Sequence, residues 1–318
     1  MSLLASWLAS PPPDAAVEIA ADRVAAAVVV ARGDRLAVTA YASDPVAPGL
    51  ITPSLTETNV HDRGELARVV QRVVEKLGAR PRRVALLIPD TVAKVSLLRF
   101  DKVPQRRDDF EQLVRWQLRK AAPFPIESAC VTTSRGLSFG EGQEFVVELS
   151  REDTIREYEA ACEGAGLYAG LVETATFGLL GLEPHSSPTS GDALLVHVRP
   201  DYTSTVITRG DAVIFYRNRP EDGHDGLPDL VHQTSMYYQD RLSGQGFDRV
   251  LLAGAGRAAD AVEVIRHALE ERLGGAVELL DPTQAASLPD RITVSPELMD
   301  VLGPSIGLLR RTRLGVAA

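Results

Sequence analysis

One unit occurs twice in this chain: two β-rich runs, a glycine–aspartate turn and a third run. In the first copy Val17 and Ile19 lead into Val24–Ala31, Gly33-Asp34 makes the turn, and Leu36–Ala40 follows. In the second, Ala193–Val198 and Tyr202–Thr208 are followed by Gly210-Asp211 and Ala212–Arg217. A chain of 318 residues, 45% of them apolar, is long enough to give each copy its own core. The duplication therefore predicts two domains of related wiring.

Between the copies lies a module of different character, Arg82–Val131. An apolar run, Val84–Ile88, stops at Pro89-Asp90, a turn pair. Thr91–Phe100 alternates as a half-buried strand and ends before Pro104. Phe110, Leu113, Val114, Gln117, Leu118 and Ala121 then recur at helical spacing. Asp108, Asp109 and Glu111 sit in the first turn of that helix and Arg115, Arg119 and Lys120 in the last, matching its dipole. Pro123-Phe124-Pro125 ends it, because neither proline can continue a helix.

The other elements follow the same rules. Helices are expected over Arg63–Leu77, Arg151–Gly164, Thr174–Leu182, Leu227–Leu242, Ala258–Leu273 and Ser295–Leu309. Phe145–Leu149, Arg249–Ala253 and Val277–Leu280 read as strands, with a short one inside Gly166–Glu173. Pro184–Gly191, rich in Pro, Ser and Gly, is the best candidate linker.

Composition removes several function classes. A net charge of -9 and an isoelectric point near 5.3 argue against a nucleic-acid partner, which needs clustered Lys and Arg. Cys130 and Cys162 cannot form a disulfide framework and read as core residues of a protein kept reduced. No run approaches the ~20 apolar residues that span a bilayer. The opening MSLLASWLAS lacks the positive region of a secretory signal; residues 1–13 read as a loosely docked leader or, through Leu3, Leu4, Trp7 and Leu8, as a hydrophobic docking or membrane-surface segment. His61, His185, His224, His232 and His267 show no metal-ligand spacing, so no metal is expected. G-x-S-x-G, H-E-x-x-H and G-x-x-x-x-G-K-[ST] are all missing from the sequence.

A strand ending in Ile88-Pro89, a second strand, Val103-Pro104, an amphipathic helix and Ala122–Pro125 (A-P-F-P) together resemble PilM-type proteins of type IV pilus assembly, which have the actin-like fold. LVETATFGLL at 171–180, SMYYQ at 235–239, VLLAGAG at 250–256 and GLLRR at 307–311 are similar to further segments of that family, in the same order. The resemblance implies an α/β, actin-like (ribonuclease H-like, duplicated) two-domain fold with an inserted 1C-type subdomain. On that reading the first domain is 14–184 with the insertion at 86–160, and the second is 185–295. Residues 296–318 then return to the first domain as a helix and tail.

The resemblance also says where a nucleotide would sit. Actin-like ATPases carry an Asp-x-Gly on each of two hairpins, the carboxylate orienting hydrated Mg²⁺ and the glycine letting backbone N–H groups approach phosphate. Here the first hairpin reads Glu18-Ile19-Ala20, and the lysine usual shortly after falls on Ala25. The second reads His197-Val198-Arg199. Only the loop of Gly254 and Gly256 keeps part of its character. Three readings of this degenerate site stand: a rewired site in which Arg199 binds phosphate, an occluded cleft in which Arg199 meets Glu18 or a neighbouring carboxylate, or no contact between them at all. ATP hydrolysis is not expected, and no cofactor is required.

By the same resemblance the chain is expected to be a cytoplasmic scaffold at the inner membrane, reaching the membrane only through others. Its expected partners are the N-terminal peptide of a PilN-like protein and other pilus assembly components. A groove lined by Val95, Leu97, Leu113 and Trp116 is the expected peptide site. The alternatives are an ATP-binding actin-like protein of the FtsA kind and the cytoplasmic part of a GspL-like secretion protein.

Overall fold

A computed structural model describes residues 12–32, 35–183, 191–220, 226–255, 259–289 and 295–314. The leader apart from its last two residues, the Gly33-Asp34 turn, nearly all of the 184–191 linker and Gly256 lie outside the described residues. The first unit becomes β1 (Ala15–Ile19), β2 (Arg23–Arg32) and β3 (Arg35–Pro45), followed by α1 (Arg63–Lys76) and β4 (Arg83–Ile88). Next come β5 (Ala93–Phe100), α2 (Arg107–Leu118), β6 (Ala129–Phe139) and β7 (Gly142–Arg151). The chain continues through α3 (Glu152–Gly164), β8 (Tyr168–Thr174) and α4 (Ala175–Leu180). The second unit is β9 (Asp192–Val198), β10 (Tyr202–Arg209) and β11 (Ala212–Pro220). After it stand α5 (Leu227–Leu242), β12 (Phe247–Ala253), α6 (Ala259–Leu273), β13 (Glu278–Leu279), β14 (Ala286–Ser287) and α7 (Pro296–Leu314).

Three sheets result, ordered β14-β3-β2-β1-β4-β8, β11-β10-β9-β12-β13 and β5-β7-β6. The duplication is visible in the wiring. In each large sheet three strands run antiparallel, and the first of them also pairs in parallel with a later strand, β1 with β4 and β9 with β12. Both faces of the first sheet are covered, so its central strands are apolar throughout rather than alternating. Val17, Ile19, Leu86 and Ile88 pack under α1 and α3, against Leu66, Val70, Tyr158 and Cys162. Ala16, Ala85 and Leu87 point the other way, under Phe177, Leu179, Leu302 and Ile306 of α4 and α7. The second sheet buries Leu194, Val196 and Ile207 beneath Leu227, Val231 and Leu269.

The α4–α7 crossing is close enough to require glycine. A Cβ on Gly181 would lie 2.0 Å from the Gly307 carbonyl oxygen, and one on Gly307 would lie 2.2 Å from that of Gly178. Arg310 then donates from Nη1 to the carbonyls of Gly181, Leu182 and Glu183, closing the end of α4.

Several boundaries differ from the sequence reading. The inserted module is narrower than 86–160. Leu86–Ile88 belong to the first large sheet, and α3 packs against α1 rather than on the small sheet. The return to the first domain begins before 296, because β14 pairs with β3. The last helix runs five residues past Leu309 and keeps its course through Pro304. β6 was not foreseen.

Candidate functional site at the domain interface

The two phosphate-type hairpins meet tip to tip. Ala20 N–H donates to the Arg23 carbonyl (2.9 Å) and Arg199 N–H to that of Tyr202 (2.8 Å), so the turns Ala20–Arg23 and Arg199–Tyr202 are built alike. Neither Ala20 nor Arg199 has a positive φ, so no glycine-only conformation is demanded there. What the side chains do with the space is decisive. Arg199 Nη2 lies 3.2 Å from Glu18 Oε1 and 3.7 Å from Asp22 Oδ1, while Arg23 Nη2 lies 3.5 Å from Glu18 Oε2. The Glu18 carboxylate is thus held between two guanidiniums, one from each hairpin. Glu18 is 1% exposed and Arg199 2%. Burial works against the charge on Arg199, but Glu18, Asp22 and Asp201 outweigh it and push its pKa above the ordinary arginine value. Burial and the neighbouring Arg199 pull Arg23 down, against Glu18 and Asp22.

The glycine loop is also occupied from within. Gly254 takes φ +85, and a Cβ there would lie 2.0 Å from the Val198 carbonyl oxygen, so no other residue fits. Its N–H donates to Asp300 Oδ1 at 2.8 Å, and Arg23 Nη2 reaches the Asp300 carbonyl at 3.3 Å. A carboxylate on α7 therefore holds the backbone donor that an anion would take. Glu18, Asp22, Asp201 and Asp300 gather about Arg23 and Arg199, leaving carboxylates in excess.

His197, although it feels these charges, bonds into a second network centred on Asp90. Burial first, then Arg199 and Arg23, hold its pKa well below the usual histidine range. Its Nδ1 is 2.7 Å from Thr176 Oγ1. That hydroxyl donates to Asp90, so His197 must donate to it through Nδ1–H. Asp90, fully buried after β4, also accepts from Thr176 N–H (3.0 Å), Ser204 Oγ and Tyr216 OH (3.1 Å). First-domain and second-domain donors thus converge on one carboxylate. Burial still raises its pKa against these hydrogen bonds.

Two more carboxylates lie beside it. Glu173 pairs with Arg311 of α7 and accepts from Thr174 N–H, and Glu148 of β7 meets Thr174 Oγ1 at 3.5 Å. Burial and the Glu173 charge push Glu148 well above the usual carboxylate range, with Arg311 opposing and Asp90 adding. Burial likewise raises Glu173 against Arg311. A raised folded-state pKa means the folded protein keeps protons that the unfolded chain has released. That stability is fully present below the ordinary carboxylate pKa of about 4.3 and is lost as pH rises through the raised values, by about 1.4 kcal/mol per pH unit for each proton. The melting temperature should therefore fall from pH 7 to pH 8, above the range in which His197, held neutral by burial, still gains stability with rising pH. Glu148→Gln should flatten that profile and melt above wild type at pH 8. Parallel profiles for the two proteins in calorimetry would refute the assignment.

Next to these networks an open cleft of about 850 Å³ is lined by Thr52–Thr56, Thr91, Ala93–Val95, Pro200, Asp201, Tyr216–Asn218 and Pro220. β5 and β11 are both edge strands. Consecutive residues of each line the cleft, so strand edges rather than faces bound it. The 52–56 rim is held by Asn59, whose side chain bonds Ser54 and Glu57 backbone groups. Glu157 in turn accepts from Asn59 and Val60 N–H.

The expected groove of Val95, Leu97, Leu113 and Trp116 does not exist as one surface. In the β5–β7 register Val95 and Leu97 stand opposite Glu148 and Val146, whereas Leu98 and Phe100 share the other face with Phe145. It is this other face that α2 covers, through Val114, Leu118 and Leu113. Val95 and Leu97 are therefore separated from Leu113 by the sheet itself. Trp116 is 71% exposed on the outer side of α2. Of the four, only Val95 lines the cleft. Asp22, Arg23, Asp90, Asp201 and Asp300 were not singled out from the sequence. Aligning Ala20-Ala21-Asp22-Arg23 with Arg199-Pro200-Asp201-Tyr202 would have shown the two aspartates in one slot.

Two duplicated domains closing on facing hairpins, with a glycine loop beside them, define the actin-like class. No family profile matches the chain, and no curated protein sequence is similar to it. Among solved structures, a chain of the PilM-PilN type IV pilus biogenesis complex superposes at TM-score 0.81 with 20% identity, covering 97% of this chain and 100% of that one. A Bacteroides thetaiotaomicron protein with actin-like ATPase fold and unknown function superposes at 0.51, with 11% identity over 90% and 96% of the two chains. The ethanolamine utilization protein EutJ of Carboxydothermus hydrogenoformans gives 0.50, with 12% identity over 95% and 90%. The fold is the PilM-type form of the actin-like fold.

Proposed function

We propose that this chain is a nucleotide-independent scaffold of a type IV pilus inner-membrane assembly complex, and that its cleft holds the extended N-terminal peptide of a PilN-like protein. The observation that carries this reading is the cleft between two unpaired strand edges, β5 and β11, with a rim fixed by Asn59 and Glu157. An extended peptide can complete either edge with backbone hydrogen bonds, while side-chain pockets select its sequence. The PilM-type fold supports the biological setting. The scaffold then sits in the cytoplasm, peripheral to the inner membrane and tied to it through its partner.

The absence of ATPase activity rests on charge and on occupancy. Arg199 is engaged by Glu18 and Asp22, Gly254 N–H by Asp300, and the surplus of carboxylates repels a polyphosphate. His197, neutral and bonded to Thr176, supplies no oxygen for Mg²⁺. Calorimetric titration tests both halves. A synthetic peptide copying the N-terminal segment of a PilN-like protein from the same genome should bind, with Val95→Glu weakening it at least tenfold. ATP should give no heat with or without Mg²⁺. Equal peptide binding by Val95→Glu would remove the peptide from this cleft, and ATP binding improved by Mg²⁺ would overturn the nucleotide-independent reading.

A further inference from the structure

The turn that carries Arg199 has two functions in space. Its first residue reaches across to Glu18 and Asp22 in the other hairpin, and its next two, Pro200 and Asp201, form part of the cleft wall. The turn is closed by the Arg199–Tyr202 backbone hydrogen bond, and proline fixes φ at its second position. The Arg199 backbone and the cleft wall therefore belong to one rigid turn, whose position relative to the first domain the buried ion pair restrains. The opposite walls, the 52–56 rim and β5, belong to the first-domain side, as does Glu18 on β1. The ion pair thus spans the same two bodies as the cleft, and it is buried, where screening by salt is weak.

We propose that Arg199 is a positioning residue for the cleft: its ion pair with Glu18 and Asp22 bridges the two domains where a bound nucleotide would otherwise do so, and sets the distance between the cleft walls. Arg199 touches no peptide in this arrangement and acts through Pro200 and Asp201. Asp300 of α7 adds a second link, since its carboxylate accepts from Gly254 N–H in the second domain while its carbonyl accepts from Arg23 in the first. Cleft width is then a fixed property of the sequence rather than a response to nucleotide. This inference rests on the peptide-binding reading for its functional consequence, but its geometric content can be measured without a peptide.

The experiment places spin labels at Glu57→Cys and Arg219→Cys, exposed positions beside the two walls, in a Cys130→Ser background, and measures their distance distribution. The same proteins are titrated with the PilN-like peptide. Arg199→Met should broaden the distance distribution and raise the peptide Kd at least tenfold, while Arg199→Lys should restore most of both. Arg199→Met leaves Glu18 and Asp22 short of a cation in a buried site and can fail to fold. The double variant Glu18→Gln, Arg199→Met removes that burden and should show the same broadening in a folded protein. An unchanged distribution in the folded double variant would overturn the proposal. If wild type binds no peptide but the distribution still broadens, the positioning role stands and the peptide assignment falls.

Discussion

Replacing Asp90 with alanine is expected to lower the melting temperature by roughly 4–6 °C, which corresponds to about 3 kcal/mol in a protein of 318 residues. Asp90 is fully buried and accepts from the Thr176 amide and hydroxyl, Ser204 and Tyr216. Removing the acceptor leaves those donors facing a cavity, and each stranded buried donor costs about 1–3 kcal/mol. Part of that loss is offset, because burial already penalises the carboxylate, as its raised pKa records. The offset is smaller than the sum, because several donors lose one partner together. The donors come from both domains, so the damage should not be local. Hydrogen exchange should accelerate at β9, β10 and the end of β4, while β12 and the α1–α3 layer stay protected. Asp90→Asn keeps the shape and one acceptor and should lose about half as much. If Asp90→Ala melts within about 2 °C of wild type, the network does not tie the domains together.

The second large effect is expected at the α4–α7 crossing. Gly181→Ala should cost at least about 3 kcal/mol, or prevent folding, although alanine is the better helix former. Gly181 sits at φ -70, so backbone freedom is not the reason. The new methyl would meet the Gly307 carbonyl oxygen at 2.0 Å and its carbon at 2.6 Å, backbone atoms that cannot rotate away. Relief requires α7 to lift from α4. That would draw Arg310 from the carbonyls it closes and Arg311 from Glu173 and Phe177. Gly275→Ala is the control: the added methyl meets nothing within 4 Å, and its melting temperature should stay within about 1 °C. Equal behaviour of the two variants in thermal unfolding would show that α7 does not pack as closely as described.

Much of the fold was legible because local chemistry writes it. Val24–Val30, Val84–Ile88 and Leu194–Val198 are apolar without alternation, as strands covered on both faces must be. The recurrence of the hairpin unit carried the two-domain reading. β6 escaped because Thr132, Thr133, Ser134 and Arg135 give no alternation; it is the edge of a small sheet and only half-buried. Of the candidate site, Glu18, His197 and Arg199 were found by their positions in the two hairpins. Their partners were not. Asp300 meets Gly254 across 46 positions and Ser204 meets Asp90 across 114, and nothing in the residues near either partner announces the other. Leu97 and Leu113 were grouped because the resemblance places a peptide groove against the second strand and the helix of the module. Pleat parity sends Val95 and Leu97 to one side of the small sheet while α2 packs on the other. Sequence by itself determined most of the elements and their order, and which residue types stand on the two hairpins, since these follow from side-chain chemistry and period. Only the tertiary structure decided which side chains meet between the hairpins and which strand edges border the cleft. A buried carboxylate finds its guanidinium by the return path of helices and by which face each strand residue takes, and both are set by packing at a distance.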